Sequence, residues 1–521
     1  MDTDVIVAGV LAGVAALLVL AYVTRVPYPI LLVVGCAGIG FVPGIPRLEL
    51  EPDLVLLILL PPLLYSAAFF SSLRDLQRNL RPITTLAIGL VVFTTVAVAA
   101  IAHALIGLSW EAAFVLGAVV SPTDPVAATA IGRRVGAPRR VITVIEGESL
   151  VNDSTALIAY KFAVAAAVSG SFSLAEAGGR FLLNAVVGIA IGIAVGWVVA
   201  QIRQRIEDAP TEITLSLMTP YFAYLPAEAL DVSAVLAAVT AGVWLGWRSP
   251  RLISPATRIQ AFAVWEVLQF LLNATLFTLV GLALPDVLDR LQGRSAADLA
   301  RDAAIVCGAV IALRFVWVFP NAYLPRMLFR RIRERDPYPP WQQLVLAAWT
   351  GMRGAVSLAA ALAIPLSVQD RDVIIFLTYA VILGTLVLQG LSLPFVIRAL
   401  AIEDDGKEAY KESKARMKAA EAAIERVDEL RVEEWVRDET ADRVRQLYDY
   451  RRRRFASRFA EDGTESGEFE ERSVAYQRLL HELFAAQREA IVAMRNAGRI
   501  TDEVMHRIER DLDLEESRLE V

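Results

Sequence analysis

Apolar runs of bilayer length recur along this chain and fix its fold class before any single residue is weighed. GVLAGVAALLVLAYV and LAIGLVVFTTVAVAAIAHALIG are near or past the ~20 residues that carry a helix across a ~30 Å hydrocarbon core. In lipid the backbone must satisfy its own hydrogen bonds, so such runs fold as helices. The chain therefore reads as an all-α polytopic membrane protein. The first run opens with Asp2 and Asp4 and shows no cleavage site before Arg25. It reads as a retained helix and not as a signal peptide. Cys36 and Cys307 both lie in apolar runs and read as small packing residues.

Thirteen spans are expected, near 4–23, 28–42, 53–70, 82–106, 111–132, 141–169, 178–201, 211–227, 231–247, 257–284, 299–325, 341–366 and 372–399. Composition changes sharply near Glu403. Residues 1–400 hold 28 Lys and Arg against 26 Asp and Glu, whereas residues 401–521 hold 23 against 31. The expectation is a transmembrane domain over 1–400 and a charged, acidic, soluble tail over 401–521. Alternate loops, among them GRRVGAPRR and PRMLFRRIRERD, carry 18 basic residues, and the loops on the other side carry six. The basic side is read as cytoplasmic. An odd span count then places the N-terminus outside and the tail inside.

The sixth span, VIEGESLVNDSTALIAYKFAVAAAVSG, carries Glu146, Glu148, Asn152, Asp153 and Lys161. Asp153 lies about 18 Å beyond Val141 at a rise of ~1.5 Å per residue, close to the bilayer midplane. A carboxylate at that depth is costly and marks a functional site. Ser149 lies one turn earlier on the same face, so its hydroxyl can join Asp153. Lys161 can snorkel outward, and Glu146 reads as an ordinary residue near the inner interface.

The fifth span, EAAFVLGAVVSPTDPVAATAIG, holds Pro122 and Pro125 around Thr123 and Asp124. Each proline removes a backbone donor in mid-membrane, so a broken helix is expected there. Freed carbonyls can bind a cation, and Asp124 can face the positive end of a half-helix. The twelfth span, WQQLVLAAWTGMRGAVSLAAALAIPL, is interrupted by Gly351 and Gly354 around Arg353. Arg353 can balance the carbonyl end of a half-helix. Two interrupted spans at matching places in the two halves are the sequence mark of a transporter site built on inverted repeats. Arg314, in the eleventh span, is expected to pair with Glu148, since an unpaired buried ion is expensive. Asp153 is then the one titratable group left to hold either a proton or a small cation. With Asn152 beside it in place of a second acid, one proton should exchange for one monovalent cation.

GAVVSPTDPVAATAI, EGESLVNDSTALI and TGMRGAVSLAAAL, with LLPPLLYSAAF in the third span, resemble the signature spans of the monovalent cation/proton antiporters, the electroneutral sodium/proton exchanger branch. The resemblance covers residues 1–400. It implies the sodium/proton antiporter fold with two crossing broken helices, and a homodimer in the plasma membrane serving pH homeostasis. It implies that Asp153 carries the ion and the proton, with Ser149 and the Thr123 carbonyl as ligands of Na+ and Asp124 close by. Asn152 is the family mark of electroneutral exchange. Glu148, Arg314 and Arg353 take core-stabilising places. Some relatives carry an acid where this chain has Ser66, so a hydroxyl and water are the candidates for that place. Glu266, in the tenth span, stays open between lining the ion path and packing at a boundary.

The tail shows apolar residues at helical spacing, for example Met417, Ala420, Ile424 and Val427, and reads as a small helical regulatory or dimer-supporting segment. AEDGTESGEFEE reads as a flexible link inside it. RRRRF is offered to anionic lipid or as a solvated helix end, and His481 and His506 as pH-sensing candidates. No nucleotide-binding loop, catalytic triad or metal-ligand cluster is visible, so neither an enzyme nor a primary pump is expected. No cofactor or nucleic-acid partner is expected either; the partners are lipid and monovalent cations. A sodium or lithium/proton antiporter stands first. A potassium/proton antiporter is the alternative, and a non-transporting sensor signalling through the tail is the alternative of another class.

Overall fold

The computed structural model describes residues 3–42, 55–169, 174–291, 295–402, 407–457 and 463–516. Among these the chain is helical, without strands. It divides into two compact units, Met1–Glu403 and Asp404–Val521.

In the first unit every expected span range is occupied by a helix or a helix pair. These are α1 (Thr3–Thr24), α2 (Tyr28–Gly40), α3 (55–70), α4 (Leu80–Ile106), α5a (Trp110–Val120) with α5b (Val126–Val135), and α6 (Arg139–Ser169). There follow α7 (Leu174–Arg203), α8 (Ala209–Ala229), α9 (Ala234–Leu252), α10 (Pro255–Leu282), α11 (Ala296–Leu328), α12a (Trp341–Trp349) with α12b (Ala355–Leu362), and α13 (Arg371–Ala399). The start of the third expected span, at 53 and 54, lies outside the described residues. Helices 80–106, 178–203, 257–289, 296–328 and 371–399 are long and apolar enough to cross a membrane unaided. The others carry breaks, charges or too few residues for that test and are placed by packing.

Caps fix several boundaries. Ser109, Ser233 and Ser254 each accept a hydrogen bond from the amide three residues on, at 3.2, 3.3 and 3.2 Å. Asp208 does the same for Thr211 at 2.9 Å. Each cap satisfies an amide that the helix itself leaves orphaned.

The unit has two main apolar clusters. One draws on α2, α4, the α5 pair, α6, α10, α11, the α12 pair and α13, around Leu116, Val310, Leu377 and Ile382. The other draws on α3, α7, α8, α9 and α10, around Tyr65, Ala237, Leu245 and Trp265. In the second, small residues let backbones touch. A Cβ added at Gly188 would lie 2.6 Å from the Ser233 carbonyl oxygen, and one at Gly246 would collide with the Phe69 carbonyl.

The second unit holds α14 (Lys407–Leu430), α15 (Asp438–Ser457), α16 (Gly463–Asn496) and α17 (Asp502–Glu516). The flexible link expected in AEDGTESGEFEE is not what the structure shows over 463–471, which forms the opening turns of α16; residues 458–462 lie outside the described residues. The reason is local. Glutamates are good helix formers and favour the positive N-terminal end, which outweighs the two glycines. Phe484, Ile491, Met505 and Leu512 close the α16–α17 pair. At its far end His481 Nδ1 lies 2.8 Å from Glu516 Oε1. His506 faces Glu509 at 3.3 Å.

Gly246→Ala should destabilise the protein by about 1–3 kcal/mol, because the new methyl overlaps backbone that cannot retreat. Gly38→Ala, where a Cβ meets nothing within 4 Å, should leave the thermal unfolding midpoint in detergent unchanged or slightly higher. Equal midpoints for the two variants would refute the packing argument.

Candidate functional site

Both expected breaks are present, and they meet. Residues 121–125 and 351–354 are non-helical. The Asp124 amide donates to the Met352 carbonyl at 2.8 Å, a backbone bond that joins one broken segment to the other. Asp124 Oδ1 accepts from the Val126 amide at 2.9 Å, closing the first turn of α5b. Gly354 is required by space and not by its backbone angles, because a side chain there would overlap the Asp124 carboxylate.

Arg353 lies across the carbonyl ends. Its Nε donates to the Val120 carbonyl at 3.0 Å, and Nη1 donates to the Gly351 carbonyl. Its own amide donates to Thr385 Oγ1 at 3.1 Å. One buried cation thus covers the C-terminal ends of α5a and α12a, where the helix dipoles are negative.

Glu148 and Arg314 form a bidentate pair, with Nη2 to Oε2 at 2.7 Å, and both side chains are 1% exposed. Arg314 Nε also donates to the Ala347 carbonyl at 3.0 Å. Thr123 Oγ1 donates to Glu148 Oε1 at 3.0 Å and accepts from Asn152 Nδ2 at 2.9 Å. Asn152 further reaches the Thr123 carbonyl at 3.3 Å. A continuous run of bonds, Arg314–Glu148–Thr123–Asn152, therefore ties α6 and α11 to the break in α5. Asn152 Oδ1 is buried without a partner.

Asp153 stands apart from that run. It is 7% exposed, and no hydrogen bond or ion pair reaches its carboxylate among the described residues. It lines a cavity of about 660 Å³ together with Thr123, Asp124, Ser149 and Ser66. Glu146 and Glu266 line the same cavity, and among the described residues no lysine or arginine does. Four carboxylates and several hydroxyl and carbonyl oxygens thus line one cavity, a composition suited to a small hard cation.

The structure brings Thr123, Asp124, Ser149 and Asp153 to one cavity wall, with Asn152 behind Thr123. It places Glu148, Arg314 and Arg353 outside the cavity, each held by the bonds described above. Ser66 is buried, its hydroxyl donating to the Leu63 carbonyl at 3.0 Å, and it keeps its lone pairs. Glu266 lies at the cavity wall. Glu146 does too, although its depth in the span suggested an ordinary interfacial acid. Lys161 pairs with Asp231 at 3.0 Å in an exposed position.

Ser357 and Thr385 were not legible in the sequence. Ser357 lines the cavity with its Oγ buried and unpartnered. Its place one turn beyond Arg353 was the available signal, since a hydroxyl after a break faces the same side as the break.

Residues 10–399 match the family described as sodium/hydrogen exchanger, transmembrane. An uncharacterized Na+/H+ exchanger of Mycobacterium tuberculosis is 35% identical, over 99% of this chain and 96% of its own length. A Na+/H+ antiporter of Aphanothece halophytica is 32% identical over 82% of this chain and 80% of its own. A sodium, potassium, lithium and rubidium/H+ antiporter of Bacillus subtilis is 31% identical over 72% and 58%. Among solved structures, a sodium proton antiporter of Methanocaldococcus jannaschii at pH 8 superposes with a TM-score of 0.60 at 17% identity. That match covers 77% of this chain and 99% of the other, and at that identity it speaks for the fold.

Glu148→Gln strands the Arg314 guanidinium and should cost about 3–5 kcal/mol of stability, the usual loss when one partner of a buried pair is removed. Replacing both, Glu148→Gln with Arg314→Met, should recover a large part of that loss. Thermal unfolding of the two variants in detergent measures the difference. A double variant as unstable as the single would show that the pair is not the source of the effect.

Proposed function

The chain belongs to the sodium/hydrogen exchanger family, and from that premise we propose that it exchanges Na+ or Li+ for H+ across the plasma membrane by alternating access. It is a multi-pass membrane transporter and not an enzyme. The single observation carrying the mechanism is Asp153, a mid-helix carboxylate that faces a cavity with no basic group on its wall among the described residues.

Among the described residues, Glu148, Arg314, Arg353 and Asp124 at the crossing each have a partner. Glu148 and Arg314 neutralise each other, Arg353 covers two carbonyls, and Asp124 caps α5b. Asp153 therefore bears a net charge unless a proton or a metal ion occupies it. An empty, charged site is costly to carry through the low-dielectric centre. The loaded states are neutral and can cross. Protonation expels the cation and the cation expels the proton, so a gradient of either drives the other.

The Na+ ligands in this reading are the Asp153 carboxylate, the Ser149 hydroxyl and the Thr123 carbonyl. Asp124 acts from nearby, through water. Asn152 is an amide, so it supplies no second titrating group beside Asp153, and the exchange is one for one and electroneutral. The thirteen helical segments form two inverted repeats, with the N-terminus outside and the tail in the cytoplasm. Residues 1–400 carry transport, and 401–521 form a regulatory or dimer-supporting segment of a homodimer. No cofactor takes part.

Potassium/proton exchange by the same steps is the second reading. It is favoured by the named cation range of the Bacillus subtilis relative and by Ser66, which puts a neutral ligand where a carboxylate would tighten the site around a smaller ion.

The test is a cation jump on proteoliposomes containing an internal pH dye, with Na+, Li+ and K+ compared. Wild-type protein should alkalinise the lumen with Na+ or Li+, at a rate independent of an imposed membrane potential. Asp153→Asn should fall to the protein-free rate. Full exchange in that variant would remove Asp153 from the mechanism, and net charge moved per cycle would rule out the one-for-one stoichiometry.

A further inference from the structure

A second cavity, separate from the ion path, lies where α4 and α6 begin and α11 ends. It encloses about 100 Å³ and is lined by Arg81, Arg140 and Arg326 over a floor that includes Leu86, Val144 and Val318. Among the described residues Asp336 is the one carboxylate on its wall. That carboxylate is already shared, with Arg140 Nη2 on Oδ1 at 2.8 Å and Arg326 Nη2 on Oδ2. Arg326 also bonds the Asp336 and Ala322 carbonyls, and Arg140 bonds Asn79 Oδ1 at 3.2 Å. Three cations thus share one anion. Arg81 Nη1 is buried and has no hydrogen-bond partner.

A buried guanidinium nitrogen without an acceptor is an incomplete interaction, because leaving a charged donor unpaired costs more than a neutral one. The first turns of α4, α6 and α12a border this cavity, through Pro82, Val141 and Gln343, and the positive ends of those helices favour an anion. The floor is hydrocarbon, which a freely hydrated ion does not need. Tyr338, 43% exposed and 6.0 Å from the Tyr323 ring, stands beside it, as tyrosines do at headgroup depth. From these observations we infer that the cavity is a site for the phosphate of an anionic phospholipid, received by Arg81 and Arg140, with glycerol carbons resting on the apolar floor. Basic cavities between transmembrane helices on the headgroup plane take such ligands. A lipid held there bridges α4 and α6 to α11, all parts of the cluster that carries the broken helices.

The test uses the full chain purified in detergent. Phosphatidylglycerol, phosphatidylcholine or inorganic phosphate is added, and lipid retention by native mass spectrometry is read beside the unfolding midpoint. Wild-type protein should retain phosphatidylglycerol in preference to phosphatidylcholine and unfold at a higher temperature with it. Arg81→Gln should lose about fivefold of that preference, the share of one basic residue at a lipid surface, and Arg81→Lys should keep most of it. If Arg81→Gln does not fold, Arg140→Gln carries the same expectation. Equal retention of the two lipids by wild-type protein would overturn the inference. So would an undiminished preference in the glutamine variant, or a midpoint shift from inorganic phosphate as large as that from the lipid.

Discussion

One backbone hydrogen bond, from the Asp124 amide to the Met352 carbonyl, holds together everything chemically active in this protein. A helix interrupted in hydrocarbon exposes amide and carbonyl groups that have no water to meet, at several kcal/mol each. Two interruptions that cross can satisfy part of that need in each other. The remainder falls to side chains: Arg353 covers carbonyls of α5a and α12a, and Asp124 covers an amide of α5b. Prolines at 122 and 125, glycines at 351 and 354, and the two charges between them form one device. Each is present because the others are.

The same economy of charge isolates Asp153. Glu148 is held by Arg314 and by the Thr123 hydroxyl. Asn152, one residue before the acid, spends its amide nitrogen on Thr123. These bonds leave the carboxylate at 153 without a partner among the described residues, on the wall of the cavity. They also make the α5 break, α6 and α11 one mechanical piece, since a helix tied by a bidentate ion pair and two side-chain bonds does not slide alone.

The apolar core around that piece is divided between two main clusters. Tyr65, Trp265 and the small-residue contacts of α7 and α9 belong to one cluster, and the crossing belongs to the other. The cavity takes walls from both, with Ser66 and Glu266 on one side and Asp153 and Ser149 on the other.

Hydropathy, basic-loop alternation and the broken spans were readable along the chain, because a bilayer fixes helix length and forbids unsatisfied backbone without reference to any neighbour. The place of Asp153 near the middle of its helix was readable for the same reason, from the length of the apolar run alone. The pairing of Glu148 with Arg314 was readable as a need, since a buried ion demands a partner, and 166 residues of separation could not hide it. Tertiary structure decided which groups supply each missing bond. Thr385 under the Arg353 amide, Ser357 on the cavity wall, Glu146 turned toward the ion path and the uncovered Arg81 nitrogen all depend on contacts between distant helices. No local pattern encodes those contacts. The helical start of α16 was missed for the opposite reason: two glycines looked like a link, and the propensity of the glutamates around them prevailed. Sequence settled what had to be satisfied within the lipid, and only the packing of helices against one another settled by whom, because satisfaction is a local requirement and partnership is a spatial one.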